Sequence, residues 1–190
     1  MALTFPLDFP SVGIANINMR LKRAVAVSES IFSYDQQVHQ FTGARWECEI
    51  TLPPLSHSEA RAVEAFITGL EGRKGTFRFG HPLHTSTVTA RNDGVIPVRS
   101  DSFTTNGSAS AITAGTYFQV GDYLHIVTAD KAYGAQTLHF QPPLRAELAD
   151  ATDLDFTLPK SLWRLATNET TWSTDTASIY GFTLACVEAI

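Results

Sequence analysis

Charge is scarce in this chain: Asp, Glu, Lys and Arg supply 17% of its 190 residues, against roughly a quarter in an average globular domain. Neutral polar residues take up much of the difference, a composition that suits broad protein contact surfaces. Positive charge is the scarcer sign, with 14 Lys and Arg against 19 Asp and Glu for a formal net charge of -5. That argues against phosphate-backbone binding as the main task, which needs clustered Lys and Arg. The one local exception is Arg20-Leu21-Lys22-Arg23, a cluster that by itself reads as a solvated strand end. Cysteine is limited to Cys48 and Cys186. Each sits in an alternating pattern rather than a close metal-type spacing, so both read as buried free thiols. No run approaches the ~18 apolar residues of a membrane span, and the opening residues lack a charged segment followed by a long apolar one. The expectation is a protein made and kept in the cytosol of its producer, without membrane insertion.

Catalytic signatures are missing as well. There is no G-x-S-x-G elbow and no phosphate-cradling G-x-x-x-x-G-K-[ST], and the glycines at 69, 72 and 75 follow a helical pattern rather than opening one. Glu47 and Glu49 lie two apart on a strand pattern and share a face, which reads as a solvated face rather than an acid–base pair. His81 and His84 have the spacing of two metal ligands, but Pro82 and Leu83 between them favour a linker turn. His125 and His139 are expected on the wet faces of strands. Neither an enzyme nor a bound cofactor or metal is expected.

What is present is apolar material, 44% of residues with 11% aromatic, arranged almost everywhere with period two. Ile17, Met19 and Leu21 alternate with Asn18, Arg20 and Lys22 in a first strand. Phe32 and Tyr34 continue the alternation into a second, which falters at Gln36-Gln37-Val38-His39 before a turn at Thr42-Gly43. Trp46, Cys48, Ile50 and Leu52 alternate cleanly with Glu47, Glu49 and Thr51 until Pro53-Pro54 stops the strand. Ser56 as N-cap with Glu59 three residues on predicts a helix over 57–71, with Val63, Phe66, Ile67 and Leu70 on one face and Gly72 ending it.

From His84 to Asp153 the chain turns rich in Thr, Ser, Gly and Asp and reads as a second small β unit. Its strands are expected at 94–99, 115–120, 123–128 and 136–141, with turns at Asn106-Gly107 and Gly121-Asp122 and a break at Pro142-Pro143. Alternation at Leu154, Phe156 and Leu158, then short strands at 162–165 and 169–172, lead to a final strand from Ile179 to Glu188. That strand should pair with the first sheet, making the small unit an insertion. Trp163, Trp172, Tyr117, Tyr123 and Tyr180 leave carbohydrate stacking open as a second class of function.

The order of motifs resembles a group of tail proteins of long-tailed bacteriophages. The resemblance is carried by Phe5-Pro6-Leu7, Val38-His39-Gln40 before Trp46-Glu47-Cys48-Glu49, Leu70-Glu71-Gly72-Arg73, Gly75-Thr76-Phe77 and Gly80-His81-Pro82 in the first half. In the second half it rests on Val120-Gly121-Asp122-Tyr123, Phe140-Gln141-Pro142-Pro143, Trp163-Arg164-Leu165 and Ile179-Tyr180-Gly181-Phe182. Within that group the plan is most similar to the distal tail proteins. The resemblance implies a mainly β fold: a hub β-sandwich with one packed helix (1–83 and 154–190) and an inserted, peripheral β-barrel-like domain (84–153). It also implies a homohexameric ring at the virion tail tip, joining the tail tube protein to the tail-tip hub protein, near the tape measure protein, with DNA only passing through the channel. The residues expected on the assembly surface are Met19, Arg20, Lys22 and Arg23 at the end of the first strand, Phe32, Tyr34, Gln36 and Gln40 around the irregular second one, and Arg73 and Lys74 in the turn after the helix. The alternative is a carbohydrate-binding tail-tip module that contacts the host surface.

Overall fold

In the computed structural model, which describes residues 3–81, 84–174 and 180–190, thirteen strands and one helix make a mainly β molecule. The elements are β1 (Leu7–Asp8), β2 (Asn16–Glu29), β3 (Gln36–Thr51), α1 (His57–Gly69), β4 (Phe77–Gly80), β5 (Ala90–Arg91), β6 (Ser102–Thr104), β7 (Tyr117–Val120), β8 (Tyr123–Val127), β9 (Thr137–Gln141), β10 (Asp153–Leu154), β11 (Lys160–Leu165), β12 (Trp172–Thr174) and β13 (Tyr180–Glu188). The expected linker turn at Pro82-Leu83 and the expected start of the last strand at Ile179 lie outside the described residues.

The main sheet runs β1-β4-β11-β13-β3-β2, with β12 also on β13. The last strand is therefore central, paired with β3 through Cys48↔Cys186 and Ile50↔Leu184 and with β11 through Leu165↔Cys186. Alternation along β3 and β13 buries Trp46, Cys48, Ile50, Phe182, Leu184 and Cys186 on one face, and α1 covers part of it. Glu59 accepts hydrogen bonds from the Ser56 N–H at 3.0 Å and the Ser56 hydroxyl at 2.7 Å, which opens the helix as the Ser56/Glu59 pattern predicts. Ala60, Val63, Phe66 and Ile67 are buried, and Phe66 meets Phe77 and Phe9 edge-on at 5.3 and 5.5 Å. The helix ends two residues earlier than expected, because Glu71 and Gly72 both take left-handed backbone (φ 51° and 68°). A Cβ on Gly75 would come within 2.6 Å of the Leu70 carbonyl oxygen, so the tight return that presents Arg73 and Lys74 requires glycine there. Both cysteines are buried and free.

A second buried cluster, built on Phe103, Phe118, Leu138, Phe140 and Phe156, lies wholly between residues 88 and 156. Its strands form a four-stranded sheet, β6-β9-β8-β7, and a separate β10-β5 ladder. No sheet among the described residues closes into a barrel, contrary to the barrel-like expectation: β6 and β7 remain edges, and isolated bridges such as Ile96↔Leu148 and Ile112↔Lys131 tie down the rest. Residues 94–99 are not a strand, since only Ile96 pairs, and the strand expected at 169–172 is displaced to β12. The β7–β8 hairpin, turned at Gly121 and Asp122, serves both cores. Phe118 and Val127 face the second cluster, whereas Leu124 belongs to the first, with Tyr117 and Ile126 packed against it.

Candidate assembly surface

Two of the strands are far longer than the sheet that holds them. β2 has 14 residues and β3 has 16, against about five or six in an average strand. They pair from Asn16↔Thr51 out to Glu29↔Gln36, yet β13 covers β3 only from Glu47 to Thr51. Beyond Arg45 the pair leaves the sheet as a two-stranded arm. Phe32 and Tyr34 are thus not in a strand, and Thr42-Gly43 is not a turn. The turn lies at 30–35, where Tyr34 has φ 57° and donates its N–H to the Ser30 carbonyl at 2.9 Å. The Ser33 hydroxyl caps the Asp35 carboxylate at 2.6 Å. Thr42 and Gly43 sit in an irregularity of the ladder between Arg23↔Ala44 and Val25↔Gln40, where Ala24 opposes Phe41, Thr42 and Gly43.

The alternation that puts Ile17, Met19 and Leu21 against the core continues along β2 to Val25 and Val27, where no core remains. Val27 faces Val38 across the ladder, and Val27, Val38 and Phe41 are each more than half exposed. At the tip Ile31 is 85% and Phe32 98% exposed. Among the described residues no further strand pairs with either edge of the arm, and free edges in a monomer invite pairing with another chain. A lone two-stranded ribbon is marginal in water, and no residue of this arm beyond Arg23 and Arg45 belongs to either buried cluster.

At its root the open face of the sheet carries an ion cluster. Glu47, expected on a solvated face, is only 8% exposed, because three cations close over it. Arg45 donates to it at 2.7 Å, Arg20 at 2.9 Å, and the Lys22 ammonium stands 3.9 Å away. Hydrogen bonding from Arg45, with lesser contributions from the other cations, holds the Glu47 carboxyl below the usual carboxylate range despite its burial. Arg20, Arg45, Glu47, Glu49 and Arg73 line one hollow of about 370 Å³.

On the core side the root is tied to the second unit. Arg145, from the loop after β9, donates to the Glu188 carboxylate at 2.9 Å and to the Ala44 carbonyl, and the same carboxylate oxygen accepts the Trp46 N–H at 3.0 Å. The Trp46 indole donates to the Leu124 carbonyl at 2.8 Å. Desolvation pushes the Glu188 carboxyl up, against the bonds from Trp46 and Arg145.

His125, expected on a wet face, is 1% exposed. It stacks on Phe118, stands edge-on to Phe140, and donates from Nδ1 to the Pro142 carbonyl at 2.7 Å. Burial, helped by the Arg145 charge, pushes its pKa down to about 4. The unfolded chain, titrating near 6.5, therefore takes up a proton that the folded one refuses. The neutral ring's full contribution is present above pH 6.5 and is lost as pH falls toward 4, by about 2 kcal/mol at pH 5. Glu47 loses its ionic bonds at lower pH still, and Glu188, with its raised pKa, acts in the opposite direction. Urea unfolding of wild type and His125→Phe at pH 8 and pH 5 isolates the histidine: wild type should lose about 2 kcal/mol more than the variant. Equal losses would remove His125 from the account.

The expected interface residues fall into two groups on one hairpin and a third beside its root. Met19, Arg20 and Arg73 line the same hollow. Lys22 and Arg23 border an apolar dent beside Ala44 and Ile190. Phe32, Tyr34 and Gln36 are at the tip, with Gln36 bonded to Glu29 at 2.5 Å; Gln40 opposes Val25 midway along the arm. Lys74 is occupied locally by Glu71. Arg45, Val25 and Val27 were missed, although the apolar residues at 17, 19, 21, 25 and 27, interrupted by Arg23, carry the signal for the last two. Among the described residues no group of three or more His, Cys, Asp or Glu could hold a metal; His84 instead accepts the Tyr117 N–H at 3.1 Å. No described helix is long and apolar enough to cross a membrane. No protein-family model matches the chain, and no curated protein matches it in sequence.

Proposed function

We propose that the chain is a structural virion protein of a long-tailed bacteriophage, a subunit of the homohexameric ring that joins the tail tube to the tail tip and surrounds the DNA channel. Residues 1–83 and 154–190 are the hub and 84–153 the inserted unit. The observation that supports this reading is the arm: an ordered hairpin with an apolar stripe, free edges and a tip exposing Ile31 and Phe32. Such a surface suits a component buried between copies of itself and against tube and hub proteins. The motif order described above supplies the phage context. The function is geometric, with no catalytic residue and no cofactor. Labelling this chain in purified virions and imaging them by cryo-electron microscopy tests it. Six copies in one ring between tube and tip are expected; scattered or peripheral copies would sink the reading.

A second reading, glycan binding at the tail tip, is favoured by a hollow of about 390 Å³ lined by Arg91, Asn106, Ser108, Asp153 and Thr157. Its rim carries the exposed, ion-paired Arg91 and Asp153, a donor and an acceptor of the kind that sugar hydroxyls can bond.

A further inference from the structure

We propose that the acidic tip of one copy's arm seats in the basic hollow at the root of the next copy's arm. The inference rests on the ring reading and names the contact that would build the ring. Its first support is charge distribution. From Ala24 to Ala44 the chain contains no Lys or Arg, and its only formal charges are Glu29 and Asp35, which flank the turn at the tip. The root has the opposite sign: Arg20, Arg45 and Arg73 line the hollow with Lys22 beside it, against Glu47 and Glu49. Four cations for two carboxylates is a local excess of two positive charges, on a chain whose net charge is -5.

The second support is that this excess is available. Arg20 and Lys22 side chains are 78% and 65% exposed, and among the described residues no carboxylate lies within ion-pair distance of Arg73. Guanidinium groups in such a hollow suit planar carboxylates. Reach is the third support. Glu29 lies nine residue steps along β2 from Arg20, so the tip stands about 30 Å from its own root at ~3.3 Å per residue. A tip cannot fold back into its own hollow along a hydrogen-bonded ladder, but it can reach a neighbour, since a globular chain of this length has a radius of gyration of about 16 Å. A tip-to-root contact is heterologous, the kind that closes into rings. The exposed Ile31 and Phe32 would enter with the carboxylates and supply the apolar part of the contact.

Charge exchange tests this. One variant carries Glu29→Lys with Asp35→Lys, the other Lys22→Glu with Arg73→Glu, and each is compared with wild type by light scattering behind a sizing column in ~50 mM salt, where charge contacts are least screened. Each variant alone should assemble at least about tenfold more weakly, because like charges meet at every contact. An equimolar mixture should regain assembly, since an alternating ring pairs the Lys tip with the Glu root and the Glu29/Asp35 tip with the Lys22/Arg73 root. All four positions are exposed; if the root variant does not melt cooperatively, Lys22→Gln with Arg73→Gln replaces it and should weaken assembly less. Wild-type assembly in both variants overturns the inference and leaves the ring reading standing, as does failure of the mixture to recover. So does loss of duplex-DNA binding by the root variant without any change in assembly, which would assign the hollow to phosphate. A wild-type chain that stays monomeric at every concentration overturns both readings.

Discussion

Replacing Arg145 with alanine should destabilise the protein by about 3–5 kcal/mol, the usual consequence of removing one partner from a buried ion pair. Glu188 has no exposed side-chain surface and Arg145 only 11%, so no water replaces the lost guanidinium. Among the described residues Glu188 Oε1 and Arg145 Nε already lack partners, which leaves the cluster no spare bond with which to adapt. The deficit should depend on pH. Without Arg145 the carboxyl, already raised by desolvation, is pushed higher and folds most easily protonated, so Arg145→Ala should be less destabilised at pH 5 than at pH 8. Replacing both partners with apolar residues, Arg145→Met with Glu188→Leu, should recover most of the loss, because the penalty comes from the orphaned charge rather than from the missing pair. Urea unfolding of the three proteins at the two pH values measures this. A deficit under 1 kcal/mol in the single variant would mean that the site admits water.

The ion pair joins the root of the arm to the second unit, and neither partner stood out in the sequence. Arg145 follows Pro142-Pro143 in a loop, and Glu188 is one polar residue at the end of an otherwise alternating strand. Their meeting depends on β13 lying next to β3, a pairing that brings together Trp46 and Glu188 from 142 positions apart. The elements that were legible have local causes: the Ser56/Glu59 helix start, the strand from Trp46 to Leu52, and the Gly121-Asp122 hairpin. His125 and Glu47 were misplaced for one shared reason. Alternation assigns residues to two faces but does not say what covers each face. At His125 the second face meets Phe118 and Phe140; at Glu47 it is closed by cations from β2 and from β3 itself.

The same limit explains the arm. Val25 and Val27 follow the half-buried Ile17, Met19 and Leu21 in phase, past Arg23, so the pattern alone reads as more core. The clue against a core lies on the other strand, where Gln36, Gln37, His39 and Gln40 surround Val38. Those residues signalled a faltering strand, and they do mark a change: they are the outer end of β3, in the free ribbon next to the tip turn. Phe32 and Tyr34 were taken into a strand because aromatic residues two apart mimic alternation. Ser30, Ser33 and Asp35 are the turn formers that decide otherwise, through side-chain and backbone bonds within the tip.

Excising the arm should therefore separate folding from assembly. Neither buried cluster includes any residue between Lys22 and Arg45, and the Arg45–Glu47 pair lies inside the cut. Joining Val25 to Gln40 through Asn-Gly, a dipeptide suited to a two-residue hairpin, removes the exposed apolar stripe beyond Val25 and the tip together. Thermal unfolding should shift by no more than about 2 °C, as expected when no core contact is lost. Assembly should fail altogether, because the free ladder edges, Val27, Val38 and Phe32 go at once. A sizing column with light scattering and a melting curve suffice. An excised protein that melts normally and still assembles would move the interface to another face of the sheet. One that no longer folds would show that the ribbon stabilises the sheet from which it grows, which the two clusters as drawn give no means to do.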